Sequence, residues 1–347
     1  MKKIITRKNF IQKSVFAGAG FLFFNPLLSA KKDTEIVMTV NGLMPSAEMG
    51  FTLTHEHVLV DFIGAEKYSK SRYDADEVYN TALPFLLDVK NKGCKTFVDC
   101  SPAYLGRDVK IFERLARATG LNIITNTGYY GAAGEKFLPP HAFTETAQQL
   151  ANRWIDEWKN GIEGTGIKPG FMKIAVDTAP LTPTQRKLIE AAAITHLATG
   201  LLIAVHTGDA KAHIEQLSIL KAYNVSPSAK IWVHAQGADK TDHIEAAKIK
   251  SWVSFDGVNP DNIDTYLALL QNMKDNKLLD YVLVSQDSGW YNVGDPKGGL
   301  YKSYTCIFTR LIPALKKNGF TEAEIDQIFR VNPKRAFTIK VRKPGNR

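Results

Sequence analysis

From residue 52 onward the chain alternates short apolar, β-branched runs with longer stretches in which apolar positions recur every three or four residues. The first pattern predicts strands and the second predicts helices. The run 52–61 is followed by helical spacing over 74–92, which stops at Gly93, an extended piece at 95–99, and helical spacing over 107–119, which stops at Gly120. Residues 122–130 are again extended. A loop rich in Gly and Pro then leads to a helix carrying Trp154 and Trp158 at i, i+4 spacing.

Further strands are predicted at 171–176, 201–205, 231–233, 252–255 and 281–285, separated by helices at 182–200, around 214–223, from 242, and around 263–273. Thr182-Pro183 opens one of these helices and the capping box Thr321 to Glu324 opens one of the last. Ahead of the series, two short extended pieces flank Asn41-Gly42 and predict a hairpin. Eight units, each a strand followed by helical material, predict an α/β fold with a parallel sheet. The expected architecture is a (β/α)8 TIM barrel with a short N-terminal β-hairpin. No Gly-x-Gly-x-x-Gly turn follows a strand, which argues against an open nucleotide-binding sheet.

The first thirty residues do not fit that rhythm. Lys2, Lys3, Arg7, Lys8 and Lys13 precede an apolar run, 15–24, that ends near Leu28-Ser29-Ala30. This is the layout of a signal peptide, so residues 1–30 are set apart from a single domain at 31–347. Thr6-Arg7-Lys8-Asn9-Phe10-Ile11 resembles a twin-arginine signal with Lys8 in the place of the second arginine. Ordinary secretion and an uncleaved anchor stay open as alternatives. The expected location is periplasmic or extracellular.

Charge changes little once this segment is removed. The formal net charge is +9, five of the positive charges lie in residues 1–30 with no acid among them, and +4 is left for the rest. No basic stripe with interleaved aromatics remains, so nucleic acid is not an expected partner. Cys94 and Cys100 mark the two ends of one predicted strand, roughly 20 Å apart, and cannot bridge. Cys306 stands alone, and a disulfide framework is not expected.

Candidate chemistry gathers at strand ends. His55 and His57 lie two apart in the first long strand, on one face, where two imidazoles can grip one cation. Lys173 lies inside the fourth strand, His206 and His234 end the fifth and sixth, and Asp287 ends the eighth. A strand-end His or Asp seen alone is often a helix cap, and a strand lysine often snorkels. Six converging on the mouth of one barrel point to a metal site. His196, His213 and His243 fall on predicted helices and His141 in a loop, and they are assigned to surface or core.

Thr-Leu-Thr-His-Glu-His (52–57), Leu-Gly-Arg-Asp-Val (105–109), Ala-Thr-Gly-Leu-Asn-Ile (118–123), Thr-Gly-Tyr-Tyr (127–130), the Lys173 strand, His206-Thr-Gly and Asn332-Pro333 together resemble the phosphotriesterase family of the amidohydrolase superfamily. The resemblance covers nearly all of residues 31–347. It implies two divalent metal ions, usually zinc. By carry-over, His55, His57 and Asp287 would hold the more buried ion, His206 and His234 the more exposed one, and Lys173, carboxylated by CO2, would bridge them. The bridging hydroxide would be the nucleophile and Asp287 would take its proton.

Two positions depart from the family's specialists. Where phosphotriesterases proper carry an acid after the sixth-strand histidine and a histidine after the seventh-strand Asp, this chain has Gly237 and Gly257. Asp256 remains, as polar support or helix cap, and with Tyr129, Tyr130, Trp290 and Tyr291 it is a candidate pocket residue. A loop over 288–304 is expected to shape the mouth. The expected activity is hydrolysis of a lactone or carboxylic ester, with a phosphotriester or an N-acyl amino acid as alternatives. A metal-containing binding protein without catalysis is the alternative of another class. The expected partner is a small-molecule substrate, with no stable membrane insertion of the mature chain and with a homodimer left open.

Overall fold

The structure, a computed structural model, describes residues 35–345; the segment read as an export signal lies outside the described residues. Strands β1 (Ile36–Thr39) and β2 (Gly42–Pro45) form the antiparallel hairpin, turning at Gly42 with φ 111°. The barrel strands are β3 (Thr52–Val60), β4 (Thr96–Asp99), the pair β5 (Asn122–Ile124) and β6 (Asn126–Thr127), β7 (Phe171–Ala175), β8 (Leu202–His206), β9 (Lys230–Val233), β10 (Trp252–Phe255) and β11 (Val282–Val284). Neighbours pair in chain order and in parallel. The ring closes where the backbone after β11 meets β3, with Asp287 N–H donating to the His55 carbonyl at 3.1 Å and His57 N–H to the Ser288 carbonyl at 2.9 Å. The predicted (β/α)8 barrel with its hairpin is the observed fold.

Helices cover the outside in the same alternation, among them α1 (Ala75–Asn91), α2 (Val109–Thr119), α3 (Pro140–Thr144), α4 (Ala147–Asn160), α5 (Pro183–Thr199), α6 (Ala210–Ala222), α7 (Lys240–Lys248) and α8 (Ile263–Asp275). Their starts are fixed by side-chain caps. Asp74 accepts from two backbone N–H groups of α1, Asp108 from two of α2, and Thr182 with Gln185 forms a capping box on α5. No helix among the described residues is long and apolar enough to cross a membrane.

One irregularity decides which residues face the barrel interior. Leu53 pairs with Phe97 but Glu56 pairs with Asp99, so β3 carries one extra residue between these points. Such a bulge turns the strand over. Leu53 packs outward with Phe97 in the layer under the helices, and after the bulge His55 and His57 point inward. The inner layer below them is apolar, with Val98, Ile124, Phe171, Leu202, Ile231 and Leu283 meeting Val37 and Met44 of the hairpin, which plugs the bottom.

Two stretches differ from the sequence expectation. The run 122–130 is broken after Ile124, because the Asn126 side-chain amide takes the carbonyls of Asp99 and Ser101 at 3.1 and 3.0 Å in place of ladder bonds. The stretch read as a loop, 288–304, contains a strand, β12 (Gly289–Asn292), laid in parallel on β3. Gly289 has φ 97° and lies so close to β3 that a Cβ would collide with the His57 carbonyl oxygen and the Tyr304 hydroxyl. Only glycine permits that approach. The three cysteines are free, as expected.

Lys230 is fully buried with no carboxylate partner among the described residues, its Nζ 2.6 Å from His213 Nδ1. Burial holds its amine well below the ordinary 10.5, so the folded chain gives up this proton more readily than the unfolded one. The unfolded chain therefore binds the extra proton below pH 10.5, and this residue costs stability that is regained as pH rises toward that value. Lys230→Met is expected to stabilise by about 1 kcal/mol or more near neutral pH, with the gain shrinking toward pH 10. Thermal melts across that range check it, and a pH-independent gain would contradict the burial account.

Candidate active site

The inward faces of β3 and β7, the end of β8 and the residues just after β9 and β11 bring six side chains to the barrel mouth. Lys173 Nζ lies 3.1 Å from His55 Nε2, His57 Nε2 lies 3.0 Å from Asp287 Oδ1, and His55 and His234 Nε2 each lie 3.8 Å from the Asp287 carboxylate. The His206 ring meets that of His234 with centroids 4.5 Å apart. Ligand atoms of His55, His234 and Asp287 fall within 4.8 Å of one another, a spacing that can hold a metal ion.

Protonation follows from the surroundings. Burial, with Lys173 nearby, pushes His55 down to about 4, and burial lowers His206 and His234 as well, so these imidazoles are neutral at pH 7. For His57 the tautomer can be read from the network. Ser101 Oγ–H donates to the Leu59 carbonyl at 2.8 Å and must therefore accept from His57 Nδ1–H, also at 2.8 Å. His57 Nε2 is then the ring nitrogen left to face the site. It faces Asp287 Oδ1, a buried atom with no hydrogen-bond partner, at 3.0 Å.

An imidazole nitrogen and a carboxylate oxygen at that distance share a proton or a metal ion, since two bare lone pairs there would repel. Burial raises Asp287's carboxyl affinity for protons, but the neighbouring His55 and His57 outweigh it and hold the group well below 3.8. An ionised carboxylate beside the neutral imidazoles of His55, His206 and His234 is the donor set of a divalent cation, and the residues present fit one.

Supporting groups hold the donors in place. Asp256, fully buried, sits 3.3 Å from His55 Nδ1 and 3.8 Å from His234 Nδ1, and accepts from His234 N–H at 3.0 Å. Burial alone would raise it, but the two histidines bring it down to about 2. Ser254 Oγ donates to its other oxygen, while Gln236 and Tyr266 bond its backbone. Gly257 has φ 104°, and a Cβ there would stand 3.1 Å from the Tyr266 hydroxyl, so the glycine belongs to this support.

Glu56, between the two histidines, points the opposite way, out of the barrel, and is fully buried. Oε1 accepts Ser285 Oγ–H at 2.8 Å and Gln286 N–H at 3.0 Å, and Oε2 accepts Ser288 N–H at 2.9 Å. Burial pushes its carboxyl up to about 8 and these donors act against that. The clamp encircles Asp287, which is held at φ 50°, a strained value for a residue with a side chain.

The expected pocket residues divide. Tyr130 OH meets His206 Nε2 at 3.0 Å, and the Trp290 ring packs on His57 at 4.9 Å while its Nε1–H donates to the Asp287 carbonyl at 2.8 Å. Tyr129 turns away, bonding His141 Nε2 at 2.9 Å and packing on Trp154. Tyr291 also turns away, its hydroxyl donating to Glu77 at 2.8 Å on α1. Alternation along β12 separates Trp290 from Tyr291, and Tyr129 and Tyr130 bridge to opposite neighbours, Ala103 and Ala175. Sequence reading missed Glu56, Ser101, Ser254 and Gln236 as supports. A charged residue inside an otherwise apolar buried strand was the available signal for Glu56, and serines carry none.

The phosphotriesterase family model matches residues 35–337. The chain belongs to the phosphotriesterase family. It is 31% identical over 293 residues to the phosphotriesterase homology protein of Escherichia coli, covering 83% of this chain and 98% of that one. It is 33% identical over 311 residues to the aryldialkylphosphatase of Saccharolobus solfataricus, covering 84% and 96%. A mutant organophosphorus hydrolase from Deinococcus radiodurans superposes with a TM-score of 0.77 at 25% identity, covering 87% of this chain and 97% of that one. This phosphotriesterase-family barrel is accordingly a metal-dependent hydrolase.

The clamp makes a prediction for this family member. Glu56→Gln puts an amide NH2 where a carboxyl oxygen now accepts N–H groups, and should weaken divalent-metal binding about tenfold or more. Competition with a chromogenic chelator measures it. In a cycle with Asp287→Asn the two losses should be strongly non-additive; full additivity would place Glu56 outside the metal site's support.

Proposed function

We propose that the chain uses two divalent metal ions, zinc in the first instance, to hydrolyse a carboxylic ester or lactone. The observation that supports it is the convergence of His55, His57 and His234 on the Asp287 carboxylate at 3.0 to 3.8 Å, with Asp287 Oδ1 buried and unpartnered. His55, His57 and Asp287 would hold one ion and His206 and His234 the other. Lys173, buried and 1% exposed, would bridge them as a carbamate formed when its amine adds CO2 and loses a proton. When bound, the ions supply Lewis acidity, activating water and polarising the substrate's carbonyl oxygen.

The chain's own groups do the rest. Asp287 is ionised and takes a proton from the attacking water as the carbonyl carbon gains its new oxygen. As the acyl–oxygen bond breaks, that proton passes to the leaving alkoxide. Asp256 and Ser101 fix the histidine rings, Glu56 fixes the segment carrying Asp287, and Trp290 packs on His57 at the rim. Tyr130, placed against His206, is available to a substrate oxygen.

A phosphotriester is the second reading, favoured by the relative named aryldialkylphosphatase. Gly237 and Gly257, standing where an acid and a histidine assist proton removal in phosphotriesterases proper, favour the ester. The basic and apolar first thirty residues support action outside the cytoplasm.

Lys173→Met is expected to lower turnover at least about a thousandfold and to reduce the metal content per chain. Acid release in a weakly buffered indicator assay, on a panel of lactones, esters, phosphotriesters and N-acyl amino acids, reads the first, and elemental analysis reads the second. Full activity in metal-free protein would overturn the proposal.

A further inference from the structure

Three cavities open around the loops at the barrel mouth, and their linings differ in charge. One, beside the His206 and His234 loops, is lined by Asp209, Asp239 and Asp242 against a single lysine. Another, beside Tyr129, mixes Asp156, Glu157 and Glu163 with two arginines. The third, of about 510 Å³, lies between the loop after β10 and the segment after β12, reaching from Val258 to Ser288. Its charged lining residues are Lys302 and Arg310, with no carboxylate, and Ser303, Thr305 and Thr309 add hydroxyls.

Neither cation forms an ion pair with a carboxylate among the described residues. Asp261 stands on the neighbouring loop but does not line the cavity. The cavity adjoins the metal-ligand cluster through two shared elements. Ser288 follows Asp287 directly, and the Lys302 ammonium lies 5.5 Å from the centroid of the Trp290 ring, which itself packs 4.9 Å from the His57 ring. Lys302 is thereby within about 10 Å of the His57 ring.

Lys302 is held there by the fold. Its backbone exchanges two hydrogen bonds with Gly289, at 3.1 and 2.9 Å, so the segment returning from β12 is fastened to the strand that carries Trp290. A substrate whose reacting carbonyl sits at the histidine cluster, and whose remainder extends past Trp290, brings that remainder into a cavity whose lining carries two cations, no carboxylate and several donors. Arg and Lys beside hydroxyls suit a carboxylate or sulfonate.

The geometry points to an anion subsite at Lys302 and Arg310, which assigns this hydrolase to acyl substrates carrying a negative group remote from the bond that is cut. The inference rests on the hydrolytic reading above for the placement of the reacting carbonyl. It separates such substrates from neutral phosphotriesters. It also gives a reason for preferring an ester or amide of an acidic molecule over a neutral one.

The test uses the zinc-loaded full chain and matched pairs that share one scissile acyl bond: an ester and an amide bearing a free carboxylate, a sulfonate, or the carboxylate's methyl ester. Wild type should favour either anion over the neutral partner by about tenfold or more in kcat/KM, mostly through KM, and the preference should fade at high salt. The carboxylate and sulfonate arms say which anion the subsite takes. Lys302→Glu with Arg310→Glu should reverse the order toward a partner bearing a quaternary ammonium, a gain that misfolding cannot produce.

Calorimetric binding of the N-acyl amino acid and of its methyl ester gives a readout independent of turnover. If no pair is hydrolysed but the anion binds about tenfold tighter and loses that margin in the double variant, the hydrolytic reading fails and the subsite stands. Equal affinity and equal kcat/KM for anionic and neutral partners, or a preference untouched by charge reversal, would overturn the subsite.

Discussion

One extra residue in β3 determines where the chemistry of this protein lies. Before the bulge, Leu53 faces outward with Phe97; after it, His55 and His57 face the barrel centre and Glu56 faces out beside Asp99. With a regular pleat, the two histidines would lie under the helices and a carboxylate would point into the mouth. Everything else at the site is arranged around the result of that shift.

The consequence is a concentration of electron-rich atoms in a buried place. Neutral imidazoles and an ionised Asp287 converge with few protons to share, an arrangement that is unfavourable without a cation. The protein contains the tension from behind. Asp256 stands between two histidines, Ser101 relays from His57 to a backbone carbonyl, and Glu56 gathers Ser285, Gln286 and Ser288 around the strained Asp287. The same clamp joins the last barrel strand to the first, so closure of the ring and placement of Asp287 depend on one buried carboxylate.

Around this rigid centre the rim carries what is particular to the chain. β12, admitted by Gly289, lays Trp290 over His57 and returns the chain so that Lys302 stands beside the indole. Gly257 is part of the scaffold that holds Asp256, so the loss of a side chain there accompanies a different support through Gln236, Ser254 and Tyr266. Loop placement of such groups on a fixed barrel is how one fold accommodates different substrates.

Alternation of apolar runs and helical spacing determined the barrel, because strand and helix periods are local properties of the chain. The ligand-type residues were legible for the same reason, since His206, His234 and Asp287 each end a predicted strand and Lys173 lies within one. Cross-strand register was not legible. The bulge in β3, the split at Thr125 and the seating of β12 are set by contacts between segments distant in sequence, and no periodicity records them. The partners of Asp256, the tautomer of His57 and the opposite directions of Tyr129 and Tyr130 likewise depend on which backbone stands across the gap, which only the folded chain decides.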